Sequence, residues 1–216
     1  MNERVLRTLE EKIDPRHSAV VVIDVQNDFC HDEGYLRKLG LDISSTQAML
    51  PALENFIGAA RKANVRVVFI QGIYNNQYLS GPFIDKDRKG GLTVERCMEG
   101  SWGADFYRVA PLPFEPVVKK HRYSAFVGTK LDNLLKEAGV KTLILAGVTT
   151  NVCVESTARD GFMRDYYIVF LGDCTATYSR EAHESTLRNI DRHFGVVTDS
   201  TEVVGFWERS GAGGGG

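Results

Sequence analysis

Three reactive side chains stand where three short apolar runs of the sequence end. Asp24 closes the run AVVVID, Lys120 follows PVVK, and Cys153 comes shortly after TLILAGV. Brought together, a thiol, a carboxylate and an ammonium group can perform nucleophilic catalysis, because the carboxylate accepts the thiol proton and the ammonium stabilises the thiolate. Singly, each residue has a commoner role, as a helix cap or turn former, a solvated lysine or a packed cysteine. The prediction of a catalytic site therefore depends on their joint placement.

The segment around Cys153 supports this chemistry, because it turns from a loop, residues 147–152, into a predicted helix. A helix N-terminus favours a thiolate. The backbone N–H of Cys153, with one from the preceding loop, can hold the oxyanion of an attacked carbonyl. The protonated Asp24 would then donate to a leaving amine and later activate water. This scheme needs no histidine, and no clear catalytic placement is found for His17, His31, His121, His183 and His193.

Short β-branched runs alternate with stretches of helical period along the chain. We expect strands at residues 19–24, 66–71, 117–119, 142–146, 167–171 and 196–198. Helices are expected at residues 44–64, 130–138, 152–164 and 179–194. The alternation predicts an α/β fold, with a mostly parallel six-stranded sheet and helices on both faces in a three-layer α/β/α arrangement. Since ligands of such sheets bind beyond the carboxyl ends of the strands, the three reactive residues should meet at one edge.

Residues 72–116 interrupt the alternation, because this segment is rich in Gly, Pro and polar residues. A loop of this length in a compact domain is usually functional, so we interpret it as irregular and lid-like. Residues 1–209 are predicted to form a single domain. The end of the chain, SGAGGGG (210–216), has the composition of a flexible linker and is excluded from the predicted fold.

The bulk composition argues against several classes of protein. Formal net charge is −2, from 26 Lys and Arg against 28 Asp and Glu, without a block of like charge, so neither nucleic acid nor a membrane is expected as partner. Apolar runs fall far short of the ~20 residues that a membrane-spanning helix needs. Residues 1–17 lack the apolar stretch of a secretory signal. We therefore expect a cytoplasmic protein with free thiols at Cys30, Cys97, Cys153 and Cys174.

Four motifs resemble those of the isochorismatase-like cysteine hydrolases: VVVIDVQNDF (20–29), GSWGADF (100–106), KHRYSAF (120–126) and GVTTNVCVESTARDGF (147–162). The resemblance runs in order from about residue 19 to residue 198. It implies an Asp–Lys–Cys triad on Asp24, Lys120 and Cys153. It also implies a cis peptide bond between Val148 and Thr149, with the backbone amides of Thr149 and Cys153 forming the oxyanion hole.

Two adjacent lysines, Lys119 and Lys120, compete for the triad position. Strand alternation lets only one of them face the pocket. The KxRYSAF pattern of the family fits Lys120, so Lys119 is interpreted as solvated or directed towards the helix side.

Three branches of the family differ in the groups that they need. Nicotinamidase-like members add an Asp/His metal cluster soon after the catalytic Asp, whereas His31 is the single histidine between Asp24 and Gly72. We therefore predict no metal and no other cofactor, with His31 a loop residue. Isochorismatases proper cleave a vinyl ether by acid catalysis and can do without the cysteine, whereas Cys153 indicates covalent amide chemistry. The third branch hydrolyses N-carbamoyl compounds and ureides, and the segment TNVCVESTARDGF is most similar to its ureidoacrylate-, biuret- and triuret-cleaving members.

The predicted function is that of a metal-independent cysteine amidohydrolase. It would cleave a linear C–N bond of a small ureide or carbamoyl amide, such as biuret, triuret, ureidoacrylate or an N-carbamoyl amine. The alternatives are an isochorismatase-type vinyl ether hydrolase, a nicotinamidase- or maleamate-type amidase, and a non-catalytic binding protein that has kept the fold. Family resemblance further implies a homodimer or homotetramer.

Candidate substrate-binding residues follow from their positions. Gln71, at the end of the second predicted strand, has an amide that can read a planar urea. Arg122 suits a carboxylate bidentately, although a structural ion pair is its alternative role, and Tyr123 is the alternative contact for such a group. The other candidates are Phe29 as a wall or core residue, Asn75 as a contact or turn residue, and Trp102 as part of the lid.

Overall fold

A single sheet of six strands forms the centre of the computed structural model, which describes residues 4–89 and 95–212. The strands are β1 Ser18–Ile23, β2 Arg66–Gly72, β3 Val117–Lys120, β4 Thr142–Val148, β5 Tyr167–Ala176 and β6 Val196–Thr198. Their order across the sheet is β3-β2-β1-β4-β5-β6, and every neighbouring pair is parallel.

Helices of very different length connect the strands. Those in the described ranges are α1 Leu9–Lys12, α2 Asn27–Cys30, α3 Tyr35–Lys38, α4 Ser44–Lys62, α5 Gly81–Lys89, α6 Leu131–Glu137, α7 Glu155–Phe162, α8 Arg180–His193 and α9 Ser200–Ala212. Short 3₁₀ turns cover Asn76–Tyr78 and Trp102–Ala104, and one π-helical turn covers Thr150–Val154. Within these ranges, the structure has no helix that is both long and apolar enough to cross a membrane.

The central strand β1 is buried along its whole length because the sheet is covered on both faces. Val20 and Val22 pack on one face with residues of α4 and α9, such as Leu53 and Trp207. The intervening Val21 packs on the other face with residues of α6, α7 and α8. Continuous β-branched runs are typical of strands that are covered in this way. The predicted fold class, a three-layer α/β/α sandwich around a parallel sheet, is confirmed.

The strand order fixes where a ligand can bind. From β1 the chain moves outwards through β2 to β3, and it then returns to β4 and moves the other way to β6. The connections leave the carboxyl ends of β1 and β4 in opposite directions, which opens a crevice between these two strands.

The segment between β2 and β3 is more regular than its composition predicts. It contains helix α5 and the two 3₁₀ turns, whereas residues 72–116 were expected to be irregular. Residues 90–94 of this segment lie outside the described residues.

Strand β5 is longer than predicted, because a bulge extends it beyond its apolar run. The pairing of β4 with β5 shifts between Leu145↔Phe170 and Gly147↔Thr175. The polar Asp173 falls within the shift, and it conceals the continuation of the strand from a pattern of apolar residues.

The final helix, α9, was not predicted from the sequence. Its apolar residues Val203 and Trp207 are buried against α4 and the sheet, and the indole Nε1 of Trp207 donates to the carbonyl of Ile13 at 2.8 Å. Residues 210–212, which we excluded from the predicted fold, belong to this helix. The rest of the predicted tail, residues 213–216, lies outside the described residues.

Candidate active site

Asp24 follows β1 directly and lies at the crevice. Its backbone has a φ of +53°, which turns the chain sharply at the end of the strand. Gly72, at the end of the neighbouring β2, makes room for the carboxyl group, since a Cβ there would lie 3.2 Å from Asp24 Oδ1 and 2.8 Å from the ring of Tyr74. The carboxyl group is consequently buried, with 1% of the residue exposed.

Lys120 ends β3 and reaches the same point from two strands away. Its ammonium Nζ lies 2.7 Å from Asp24 Oδ2, and the side chain is fully buried. The ammonium also donates to the hydroxyl of Tyr74 at 3.2 Å and to the carbonyl of Arg122 at 3.0 Å. Lys119 points the other way, where it forms an exposed ion pair with Glu99 at 2.6 Å. Strand alternation therefore gives the two lysines opposite surroundings, as expected.

Cys153 lies in the tight turn that joins β4 to α7. Gly147, near the end of β4, has a φ of +116°, and a Cβ there would lie 2.1 Å from the carbonyl oxygen of Ile23. Only glycine fits this close approach of the two central strands. The peptide bond between Val148 and Thr149 is cis, at the position that the family resemblance implies. A π-helical turn, Thr150–Val154, then carries the thiol, whereas the sequence predicted a plain helix from residue 152.

Hydrogen bonds hold this turn in place. The carbonyl of Thr149 accepts from the backbone N–H groups of Val152 and Val154 at 3.1 and 3.3 Å. The buried hydroxyl of Thr157 donates to the carbonyl of Cys153 at 2.7 Å and accepts from the N–H of Ala125 at 3.0 Å. Thr157 thereby connects the cysteine turn to the segment that follows Lys120.

The electrostatics of the three groups are strongly coupled. Asp24 and Lys120 both lie close enough to Cys153 to affect the pKa of its thiol. Burial raises the pKa of Asp24, although the ammonium of Lys120 opposes this. Burial alone would lower the pKa of Lys120, but its interactions with neighbouring groups, those with Asp24 first, raise that pKa well above the ordinary value.

The same burial raises the pKa of Cys153 to about 12, with Lys120 lowering it and Asp24 raising it. Lys120 favours the thiolate, as expected, because it lowers the pKa of Cys153, but burial has the larger and opposite effect. Cys153 is only 7% exposed, and the desolvation penalty on a buried thiolate exceeds the stabilisation from Lys120. The raised pKa favours the neutral form of the Cys153 thiol, which lies beside the carboxyl group of Asp24.

A cavity of about 330 Å³ opens above these groups, a volume that suits a small ligand. Asp24, Cys153 and Thr149 are among the residues that line it. Aromatic side chains form much of the remaining wall: Phe29, Tyr35, Tyr74, Tyr123 and Tyr178.

Two of the six predicted substrate-binding residues, Phe29 and Tyr123, line this cavity. Phe29 also packs against the core, so both of its predicted roles are met by one ring. Tyr123 packs against the ring of Phe83, with the two centroids 4.9 Å apart.

The other four predicted residues are not brought into the cavity, because contacts outside it hold their side chains. The amide of Gln71 donates to the carbonyl of Ala104 at 2.9 Å. The Oδ1 atom of Asn75 accepts from the N–H of Glu99 at 2.8 Å.

Arg122 and Trp102 are held elsewhere in a similar way. The guanidinium of Arg122 donates to the carbonyls of Tyr78 and His121 at 2.8 and 2.6 Å. Trp102 is 46% exposed and meets the ring of His31 edge to face, with the centroids 5.0 Å apart. Loop contacts of this kind leave no periodic pattern in the sequence.

Sequence reasoning missed two polar residues that attach the β2–β3 segment to the site. Gln26 donates to the carbonyls of Gly72 and Ala104 and accepts from the N–H of Gly72. The buried carboxylate of Asp28 accepts from the N–H of Tyr35 at 3.1 Å and from that of Cys97 at 2.6 Å. Both residues belong to the motif VVVIDVQNDF, which is the one signal that could have identified them.

His31 was predicted to be a loop residue and not a metal ligand. Its ring lies against those of Trp102 and Tyr107, and Nδ1 accepts from the N–H of Glu33. Across residues 4–89 and 95–212, no three side chains of His, Cys, Asp and Glu are grouped closely enough to hold a metal ion. All four cysteines are buried free thiols, as expected.

The isochorismatase domain family matches residues 18–202. Ureidoacrylate amidohydrolase RutB from Pantoea ananatis is 36% identical over 223 residues, which cover 94% of this chain and 89% of that protein. A cysteine hydrolase from Pseudomonas syringae pv. phaseolicola has a similar structure, with a TM-score of 0.82, 27% identity and coverage of 97% of this chain and 100% of that one. N-carbamoylsarcosine amidase from Thermoplasma acidophilum has a TM-score of 0.69, 25% identity and coverage of 85% and 96%. The chain therefore belongs to the isochorismatase family.

Proposed function

We propose that this protein is a metal-independent cysteine amidohydrolase that cleaves a C–N bond of a small ureide or carbamoyl amide through an acyl-enzyme on Cys153. The observation that carries the proposal is the buried pair of Asp24 and Lys120, 2.7 Å apart, beside a cavity that Asp24 and Cys153 both line. A carboxylate beside a thiol supplies a base, and the ammonium compensates the charge that develops as the proton moves.

The first half of the reaction forms a thioester. The sulfur of Cys153 bonds to the substrate carbonyl carbon while its proton passes to the carboxylate of Asp24. The backbone amides of Thr149 and Cys153 stabilise the resulting oxyanion. The C–N bond then breaks, the proton on Asp24 moves to the departing nitrogen, and an amine leaves the carbamoyl or acyl group on sulfur.

The second half returns the enzyme to its starting state. Water bonds to the thioester carbon as Asp24 accepts one of its protons, and the C–S bond breaks. Asp24 then gives this proton to the sulfur, which restores the neutral thiol. When the substrate is a ureide, the released product is carbamic acid, which decomposes to ammonia and carbon dioxide.

The names of the relatives support a substrate of this chemical class. Ureidoacrylate amidohydrolase and N-carbamoylsarcosine amidase both act, by name, on compounds with a carbamoyl group on nitrogen. A cavity of about 330 Å³ is also of a size for such a compound.

The test is ammonia release from biuret, triuret, ureidoacrylate and N-carbamoyl amino acids by the native protein and by Cys153→Ala. We expect the variant to fold normally and to lose turnover by at least about a thousandfold, as removal of a covalent nucleophile does. Cys174→Ala is the matched control, because Cys174 is also a buried thiol but lies on β5.

Undiminished ammonia release by Cys153→Ala would contradict the proposal. Hydrolysis of isochorismate that needs Asp24 but survives loss of Cys153 would instead show the vinyl ether chemistry.

A further inference from the structure

The imidazole of His183 contacts the turn that carries Cys153. His183 lies in the first turn of α8, and its Nδ1 atom is 2.9 Å from the hydroxyl of Thr150, a hydrogen-bonding distance. Thr150 is fully buried and begins the π-helical turn Thr150–Val154. The structure thus places beside the proposed site one of the five histidines for which the sequence suggested no catalytic position.

Two further side chains of α8 hold the chain on the other side of Cys153. The hydroxyl of Thr186 donates to one carboxylate oxygen of Glu155 at 2.6 Å, and the amide of Asn189 donates to the other at 3.0 Å. His183, Thr186 and Asn189 recur at three-residue steps, so successive members are neighbours on the helix surface. Helix α8 therefore contacts the chain both before and after the cysteine.

The imidazole of His183 suits this contact because it is neutral near pH 7. Burial lowers the pKa of His183, although the neighbouring carboxylate of Glu184 raises it in part. A neutral imidazole has one donor and one acceptor nitrogen, and a hydroxyl can serve as either partner. The hydroxyl of Thr150 can therefore pair with Nδ1 in both tautomers.

The position of Thr150 relates His183 to the proposed oxyanion hole. Thr150 directly follows Thr149, and its carbonyl accepts from the N–H of Glu155 beyond the cysteine. The two amides assigned to the oxyanion, those of Thr149 and Cys153, therefore lie on either side of Thr150 in the chain. Both of these residues line the cavity, whereas His183 is not among its described lining residues. An effect of His183 on a substrate has to pass through the turn.

We infer that His183 is a positioning residue, whose contact with Thr150 holds the backbone amides of Thr149 and Cys153 in the orientation that receives the oxyanion. This inference rests on the proposed function. Because the oxyanion develops only as the sulfur attacks, well-oriented amides stabilise the transition state and contribute little to binding of the substrate. A displacement of such groups by about 1 Å can cost about a hundredfold in rate.

The test compares kcat and KM for the best substrate of the ammonia-release assay. We expect His183→Leu to lower kcat by about ten- to a hundredfold and to change KM by less than about twofold. His183→Asn should restore most of kcat, because its side-chain amide offers a donor or an acceptor at the position of Nδ1. His193→Leu is the matched control, since His193 is exposed and ends the same helix.

A double variant shows whether His183 acts through Thr150. Thr150→Val removes the hydroxyl but keeps the branched shape, so it should lower kcat as much as His183→Leu does. Since the two substitutions remove the same contact, the double variant should be no slower than either single variant. Losses that multiply, or a rise in KM with kcat unchanged, would overturn the positioning role.

A spectroscopic measurement separates this inference from the proposed chemistry. In amide proton–nitrogen correlation spectra, His183→Leu should shift the resonances of Thr149 and Cys153, whereas His193→Leu should leave them in place. Unshifted resonances would overturn the role of His183 whatever the turnover. Cys153-dependent hydrolysis at full kcat in His183→Leu would also overturn it while leaving the proposed function in place. Shifted resonances without any Cys153-dependent hydrolysis would support the positioning of the turn and contradict the amidohydrolase.

Discussion

The two sides of the active-site cavity are built in different ways. One side is formed at the carboxyl ends of three strands of the parallel sheet, which carry Asp24, Lys120 and Cys153. Because helices cover these strands, the backbone positions of the three residues are fixed. On the other side, residues such as Tyr35 and Arg96 come from a short helix and from the β2–β3 segment, which are placed by loop contacts. The sheet side supplies the proposed reacting groups, and the segment side supplies much of the cavity wall opposite them. One fold can therefore keep its chemistry while loop changes alter its substrate.

A few hydrogen bonds fix the position of the segment side relative to the sheet side. Asp28 accepts hydrogen bonds from the backbones of Tyr35 and Cys97, one on each part of the segment side. A Cβ at Gly103 would lie 2.2 Å from Asp28 Oδ2, which shows how closely the β2–β3 segment approaches this carboxylate. A substitution of Asp28 should therefore loosen the segment side while leaving the sheet side unchanged.

The largest effect is expected on the sheet side, from Lys120→Met. Removal of the ammonium leaves the carboxylate of Asp24 buried without its counter-charge, which should cost about 3–5 kcal/mol in the free energy of unfolding. Turnover should be lost as well. Lys119→Met is a matched control one residue away, because its exposed ion pair with Glu99 should contribute only about 0–1 kcal/mol.

Denaturant unfolding and ammonia release on the two variants would check this difference. Equal effects of the two substitutions would show that strand alternation does not separate the lysines.

The pH dependence of catalysis should reveal the pKa of Asp24 on the sheet side. The proposed reaction needs Asp24 as a carboxylate, and burial raises the pKa of this group. Activity should therefore be present above the raised pKa and fall about tenfold per pH unit below it, with a midpoint above the value near 4 of an ordinary aspartate. A profile of kcat/KM against pH measures this midpoint, and one at or below about 4 would contradict the raised pKa.

A smaller effect is expected from Asp28→Ala, which detaches the segment side. Two backbone N–H groups lose their acceptor, at a cost of about 1–3 kcal/mol. KM should rise more than kcat falls, because the reacting groups stay in place while the opposite wall loosens. Asp28→Asn keeps one acceptor oxygen and should lie between the native protein and the alanine variant. A fall in kcat with KM unchanged would show that Asp28 serves the reacting groups instead.

The sequence located the residues of the sheet side better than those of the segment side. Asp24 and Lys120 could be located because apolar runs identify covered strands, and parallel strands bring their carboxyl ends to one edge. The structure does not bring Gln71 and Arg122 to the cavity wall, and the sequence could not show this, because their partners, the carbonyls of Ala104 and Tyr78, lie 33 and 44 residues away along the chain. Arg96 also lines the cavity, but it adjoins no strand, so neither periodicity nor strand ends could identify it as a lining residue.

The raised pKa of Cys153 affects how this nucleophile survives between turnovers. Peroxides and alkylating agents attack the thiolate form of cysteine, and sulfenic, sulfinic and sulfonic acids form from it in sequence. A thiol that is neutral and 7% exposed offers these reagents little of that form. In the proposed mechanism its proton moves to Asp24 only when a carbonyl is there to be attacked, so we expect Cys153 in the free enzyme to react slowly with peroxides.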